Sequence, residues 1–254
     1  MSGLAGYRHG ESVVHRLHPV TKVTLLGCCI LGAYLAPPVA LAALLGVLVV
    51  SSTVAGVATS VGRAALSILV PLAVGLLAVH GFFRTGSGAV LVTVGPLTLW
   101  RDGVVYAVSF LGVLAAFVLA GLLFVSTAHP KKLMTGLTEA GVPRKLGYVF
   151  VASLQLVPEL RRRAERIVDA QRSRALDTRG SLQSRIRALV SLLGPLLIGA
   201  LVATQTRSLA LEARGFSLDG PRTSLYTLSV SPLDWALRVV GIVGVVGLAG
   251  WRLL

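Results

Sequence analysis

The sequence predicts an all-α integral membrane protein, with about five transmembrane helices and a cytoplasmic domain of long amphipathic helices. Three observations carry that prediction. The 254 residues are 54% hydrophobic and only 13% charged, with a mean hydropathy of +0.81, against roughly 25% charged in soluble domains. Charge is absent from Val23–Gly62, Ala64–Phe83, Gly103–Ala128 and Val239–Trp251. One segment, His129–Arg222, holds 16 of the 24 basic and 7 of the 10 acidic residues.

A spanning helix needs about 20 apolar residues. The first charge-free run is too long for one crossing, and Pro37-Pro38 interrupts it. It therefore divides into spans Val23–Ala36, the shorter one, and Pro38–Ala58. Ala64–Phe83 and Gly103–Ser126 each fit one span, and Leu233–Leu254 supplies the fifth. Basic residues precede the first span (Arg8, Arg16, Lys22) with no small-residue cleavage site after a brief apolar core, so it reads as retained. Lys and Arg gather on the cytoplasmic side of a membrane. Arg8, Arg16, Lys22, Arg63 and the segment after span four all fall inside under one assignment. The stretch Arg84–Asp102 falls outside, where Val90, Val92, Leu97 and Leu99 alternate around Gly95-Pro96 as a small extended loop. The resulting organisation is residues 1–126 as N-terminal membrane helices, 127–230 as the cytoplasmic region and 231–254 as the C-terminal span.

Within the cytoplasmic region, Pro130 precedes a short helix over Lys131–Ala140. Gly141 and Pro143 then form a stop-and-restart signal. Leu146–Val157 is apolar but too short to cross, and Pro158 reads as a kink. From there to Leu176, Leu156, Leu160, Ala164, Ile167, Gln171 and Arg174 recur at spacings of three and four, one face of a helix. Arg161, Arg162, Arg163, Arg166 and Arg172 lie mostly off that stripe, and Glu165 is placed to pair with Arg161. A second long helix spans about Leu182–Arg214. Its uncharged middle, Ala188–Thr206, contains Gly194-Pro195. Crossing the bilayer there would strand Arg207, Glu212, Arg214 and Arg222 outside, so the pattern favours a helix at or under the inner interface.

Each long helix ends in a similar phrase: Gln171-Arg172-Ser173-Arg174-Ala175, and Glu212-Ala213-Arg214-Gly215-Phe216. Cations near helix C-termini are favoured by the dipole, and Gly215 suits the left-handed cap. Small neighbours allow close approach by a partner, and arginine offers a rigid five-donor fork. Singly, each phrase is compatible with an ordinary capped helix and a solvated arginine. As a pair beneath a helix bundle, they point to a two-pronged docking element.

At these residues the sequence resembles the transmembrane T-component of energy-coupling factor (ECF) transporters, the EcfT/CbiQ family, over nearly its whole length. His15-Arg16-Leu17-His18-Pro19-Val20-Thr21-Lys22 is similar to the family's HRLDPRTK, with His18 in place of Asp. Ser126-Thr127 and Pro130 resemble STTxP, Leu137–Tyr148 resembles ALxxLGxPxxLAY, and Val157-Pro158-Glu159 resembles IPxLxxE. Ala210–Phe216 resembles the second of the family's two ARG motifs. Ser173-Arg174-Ala175 departs from the first by Ser for Ala and Ala for Gly, but keeps the arginine. The resemblance implies a coupling subunit of an ABC-type importer that joins two cytoplasmic ATPases to a membrane-embedded, substrate-binding S-component for uptake of a vitamin or a transition-metal ion. It implies that Arg174 and Arg214, with Gln171, Ser173, Ala175, Glu212, Ala213 and Gly215 around them, form the ATPase-coupling tips. Pro130, Gly141, Pro143 and Pro158 are expected as structural hinges. The alternative is a conventional ABC permease subunit forming the substrate path itself, which ordinarily needs one coupling helix.

Gly241, Gly244, Gly247 and Gly250 form a stripe for close helix packing, within the chain or against a moving partner. His80 stands alone among the apolar runs, which favours an interfacial hydrogen bond over a relay. His9, His15 and His18 have arginine and lysine among them, which disfavours a metal. Cys28 and Cys29 read as apolar fillers. The sequence carries no phosphate-cradling loop, HExxH, GxSxG or intramembrane carboxylate pair. It therefore predicts a transport subunit with no ATP site, cofactor or metal of its own, and not an enzyme. Nucleic-acid binding is disfavoured because the basic segment has few aromatics to stack bases.

Overall fold

The structure is a computed structural model that describes residues 12–83, 90–94, 97–173, 182–218 and 229–253. The chain divides into two compact units, residues 1–142 with 226–254, and residues 143–225.

The first unit is a helix bundle. A single turn, α1 (Val13–Arg16), leads to α2 (Pro19–Leu35) and α3 (Pro38–Val54). His18 caps α2, its Nδ1 accepting from Val20 N–H at 3.2 Å, with Pro19 at the first helical position. Pro37 and Pro38 end α2 and start α3, because the residue before a proline is pushed out of the helical region. Each helix has 17 residues, about 26 Å at 1.5 Å per residue, slightly less than a hydrocarbon core of about 30 Å. α4 (Ala58–Phe83) and α5 (Arg101–Thr127) are long antiparallel helices, joined through a hairpin of β1 (Val90–Val94) and β2 (Leu97–Trp100). In the hairpin Val94 pairs with Leu97 and Thr93 with Thr98, so the expected extended loop is a two-stranded ribbon. α6 (Pro130–Glu139) follows, and α9 (Pro232–Leu253) closes the chain.

The bundle's interior is built from small side chains. Ala33, Leu41, Leu48, Ala116 and Ala120 form one buried cluster, and Ala55, Val57 and Val61 a second at the α3–α4 corner. Large apolar residues such as Val39, Val47, Val74 and Val243 face outward. Apolar lipid gives helices no hydrophobic reason to hide such residues, so close packing of small ones holds the helices together. Trp235 and Trp251 are exposed near the two ends of α9, where indole rings suit membrane interfaces.

Four helices are long and apolar enough to cross a membrane by length and composition: 58–82 in α4, 101–127 in α5, 190–213 in the second unit and 232–252 in α9. This differs from the sequence expectation in two ways. The first two expected spans are the shorter helices α2 and α3. The stretch at 190–213, expected at the interface, meets the length and hydropathy of a span.

Candidate functional site

The second unit is an antiparallel pair, α7 (Arg144–Arg172) and α8 (Leu182–Ala213). Pro158, read from the sequence as a kink, lies inside α7, which runs through it as one 29-residue helix. Pro130 opens α6, Gly141 follows α6 with φ 104°, and Pro143 is the N-cap of α7. The predicted stripe is present. Leu156, Leu160, Ala164, Ile167 and Gln171 are half-buried, whereas Arg161, Arg162, Arg166 and Arg172 are exposed. On α8 the half-buried residues Leu192, Leu196, Gly199 and Ala203 recur at the same spacings.

Arg163 is the exception among the arginines, being half-buried. It donates from Nη1 to the Gly199 carbonyl at 2.7 Å and from Nη2 to Glu159 Oε1 at 2.8 Å. The other Glu159 oxygen accepts from Arg207 Nη2 on α8. Two arginines from two helices thus converge on one carboxylate. The hydrogen bond from Arg207 is the main reason that the Glu159 carboxyl is held below its usual range; partial burial opposes this, and the two positive charges add to it. On the solvent side Arg161 pairs with Glu165 at 3.1 Å, as its spacing predicts, between side chains 81% and 61% exposed. Such a pair contributes at most a few tenths of a kcal/mol.

The end of α8 has the geometry its glycine predicts. Gly215 adopts φ 68°, its N–H reaching the Glu212 carbonyl at 2.8 Å, while Phe216 N–H reaches that of Leu211 at 2.9 Å. These bonds close the helix and leave Arg214 exposed just past its last residue, Ala213. A left-handed residue here is strained for any side chain with a Cβ. The Phe216 ring packs on Tyr148, near the start of α7, with centroids 5.1 Å apart. Arg214 therefore sits at the Tyr148 end of the pair. The last turn of α7 lies 24 residues further along, about 36 Å away. Ser173 caps that turn, its backbone N–H donating to the Asp169 carbonyl at 3.1 Å. Arg174 and Ala175 lie outside the described residues.

A second polar cluster, in the first unit, escaped the sequence reading. Asp234 is 2% exposed. Its Oδ1 accepts from His18 N–H at 2.8 Å and its Oδ2 from Ser231 N–H at 3.0 Å. Arg238 donates to Thr21 Oγ1 at 2.8 Å and approaches His18 Nδ1 at 3.2 Å. Lys22 donates to the carbonyls of Thr127, at the end of α5, and of His15. The starts of α2 and α9 and the end of α5 are thereby tied together. At the opposite end, Arg252 donates to the Tyr34 carbonyl and lies 5.2 Å from the Tyr34 ring centre. Composition and periodicity carry no signal for contacts more than 200 positions apart.

The remaining expected positions have the following surroundings. His80 meets the Tyr106 ring edge-on, with centroids 5.1 Å apart. His15 Nδ1 bonds the Ser12 hydroxyl at 2.8 Å, and His9 lies outside the described residues. In the glycine stripe, Gly241 packs on Cys28 and Leu25 of α2, while Gly244, Gly247 and Gly250 border open space.

Against known proteins, the family CbiQ, described as cobalt transport protein, matches residues 10–225. The energy-coupling factor transporter transmembrane protein EcfT of Bacillus subtilis (strain 168) is 26% identical, over 92% of this chain and 91% of its own. The EcfT of Limosilactobacillus fermentum (strain CECT 5716 / Lc40) is 29% identical, over 92% of each. A putative ABC transporter ATP-binding protein of Bifidobacterium longum (strain NCC 2705) is 29% identical over 88% of this chain, which spans only 30% of that longer protein.

Proposed function

This chain belongs to the CbiQ family, being matched by it over residues 10–225, and we propose that within an ECF importer it passes ATP-driven movement from two cytoplasmic ATPases to an S-component. The family places it among multi-pass transmembrane components of ECF transporters. The finer reading rests on α7 and α8.

The observation that carries this reading is the end of α8: an exposed arginine set directly beyond a closed helix by a left-handed glycine. A guanidinium there is held on a rigid element and free to enter a groove on another protein. The antiparallel arrangement supports two separate grips. The motif-bearing ends of α7 and α8 lie at opposite ends of the pair, about 36 Å apart along α7, as one grip on each of two ATPases requires. The Bifidobacterium longum protein adds support, because a chain described as an ATP-binding protein contains a segment similar to this one.

The cytoplasmic placement of residues 127–230 draws support from the first unit. The chain leaves the bundle after Thr127, beside Lys22, and re-enters at Asp234, beside His18. Both points are at one end, so an even number of crossings separates them. α7 carries ten charged residues in 29 and is a poor second span, which disfavours a lone crossing by α8. Exposed apolar side chains of α8, such as Leu197, Ile198 and Leu201, are then the surface offered to an S-component. A vitamin or a transition-metal ion, cobalt by the family's description, is the cargo proposed for that S-component. A permease that forms the substrate path itself finds less support in a pair of arginine-tipped helices.

The test is co-purification. Arg214→Glu and Arg174→Glu are expected to strip the ATPases from the detergent-solubilised complex while the chain stays folded. Removing one partner of a buried charged contact typically costs about 2–5 kcal/mol. Retention of both ATPases by the double variant contradicts the reading.

A further inference from the structure

We propose that Glu159 is the pivot of the α7–α8 pair, a positioning residue that holds the helices at one crossing point while their arginine-bearing ends swing. The proposal rests on the coupling reading above and names the part that turns displacement at Arg214 into rotation.

Glu159 is placed for this role by three contacts. It accepts from Arg163 one turn ahead on its own helix, and from Arg207 on α8. Arg163, so oriented, donates to the Gly199 carbonyl in the middle of α8. The two anchor points on α8 are eight residues apart, about 12 Å along the helix, and the Glu159 side chain is 26% exposed. Apart from the Tyr148–Phe216 ring contact at the far end, the half-buried residues of the two facing stripes, Leu156, Leu160 and Ala164 on α7 and Leu196 and Ala203 on α8, are apolar, and apolar contacts have no direction. Charged hydrogen bonds have direction and fix how the two helices meet. Slippage at the crossing would absorb motion before it reached the far end.

The test uses the chain in complex with its ATPases, in a Cys28→Ala/Cys29→Ala background, with spin labels at Arg162→Cys and Ile198→Cys flanking the crossing. Their separation is read by electron–electron resonance with and without ATP. The expected result is one narrow separation that ATP leaves in place. In Glu159→Gln that narrow separation is lost while the ATPases stay bound. In the charge swap, Glu159→Arg with Arg207→Glu, the carboxylate now on α8 faces two guanidinium groups on α7, the introduced one and that of Arg163, and the narrow separation returns. A Glu159→Gln variant that keeps the narrow separation overturns the proposal. So does wild-type protein whose separation moves with ATP. If Glu159→Gln loses the ATPases, the charge swap decides, and its failure to restore the separation also overturns the proposal. Failure of the coupling reading is distinguishable, because Arg214→Glu would then keep its ATPases.

Discussion

Replacing Asp234 by alanine should unlock the bundle. Its carboxylate closes a capping box on α9, where Ser231 is the N-cap and Asp234 reaches back to the Ser231 N–H. Its other oxygen takes the N–H of His18, the N-cap of α2. One side chain therefore serves the starts of two helices, at 2% exposure. Alanine leaves the buried His18 N–H without an acceptor, at about 1–3 kcal/mol, while the exposed Ser231 N–H turns to water and loses only its cap. Asparagine keeps one oxygen and loses the charge that faces two helix N-termini, where each interaction contributes roughly 0.3–1 kcal/mol. Its effect should fall between wild type and alanine. The assay is thermal unfolding of the purified chain in detergent, followed by the fluorescence of Trp235 beside the substitution. At roughly 2–4 °C per kcal/mol for a chain of this size, Asp234→Ala should lower the midpoint by at least about 2 °C. An unchanged midpoint for alanine, or asparagine below alanine, would refute this account of the cluster.

Other outcomes follow from the same geometry. A Cβ on Gly103 would stand 2.1 Å from the His80 carbonyl oxygen and 3.2 Å from Gly81 Cα, all backbone. Gly103→Val should force α4 and α5 apart, at a cost of about 1–3 kcal/mol or more, read as a lower unfolding midpoint. Gly244→Ala meets nothing within 4 Å and, inside a helix where alanine is favoured over glycine, should not lower the midpoint of the isolated chain. Because the folded Glu159 carboxyl titrates below its ordinary value of 4.5, its contribution is complete above that pH and disappears as pH falls through the folded value. The difference in unfolding midpoint between wild type and Glu159→Gln should be constant from neutral pH to about 4.5 and close below it.

Much of the architecture was legible because membrane helices announce themselves by length and missing charge. The gap from Gly103 to Ala128 lies within α5 and its C-cap, and Pro37-Pro38 separates α2 from α3. The stripe from Leu156 to Gln171 sits on the half-buried face of α7, and Gly215 has the left-handed conformation its place after Arg214 implied. Pro158 lies inside α7, where one missing amide does not end a helix. The ribbon at Val90–Trp100 was visible only as alternation. Contacts between distant residues had no local signature. The spacing of Arg161 and Glu165 was readable as an ion pair, but Arg207, 48 positions from Glu159, was not readable as its partner. Asp234 stands in the first turn of α9, and only the meeting of α2 with α9 turns it into a shared cap.

Sidedness of the α8 end tests the central claim most directly. With Cys28 and Cys29 replaced by alanine, a membrane-impermeant maleimide is applied to Glu212→Cys in right-side-out and inside-out vesicles, with Thr93→Cys on β1 as the opposite marker. Labelling of Glu212→Cys only in inside-out vesicles, and of Thr93→Cys only in right-side-out ones, is the predicted result. Labelling of Glu212→Cys from the outer side would contradict the account, because an arginine exposed there has no ATPase to grip.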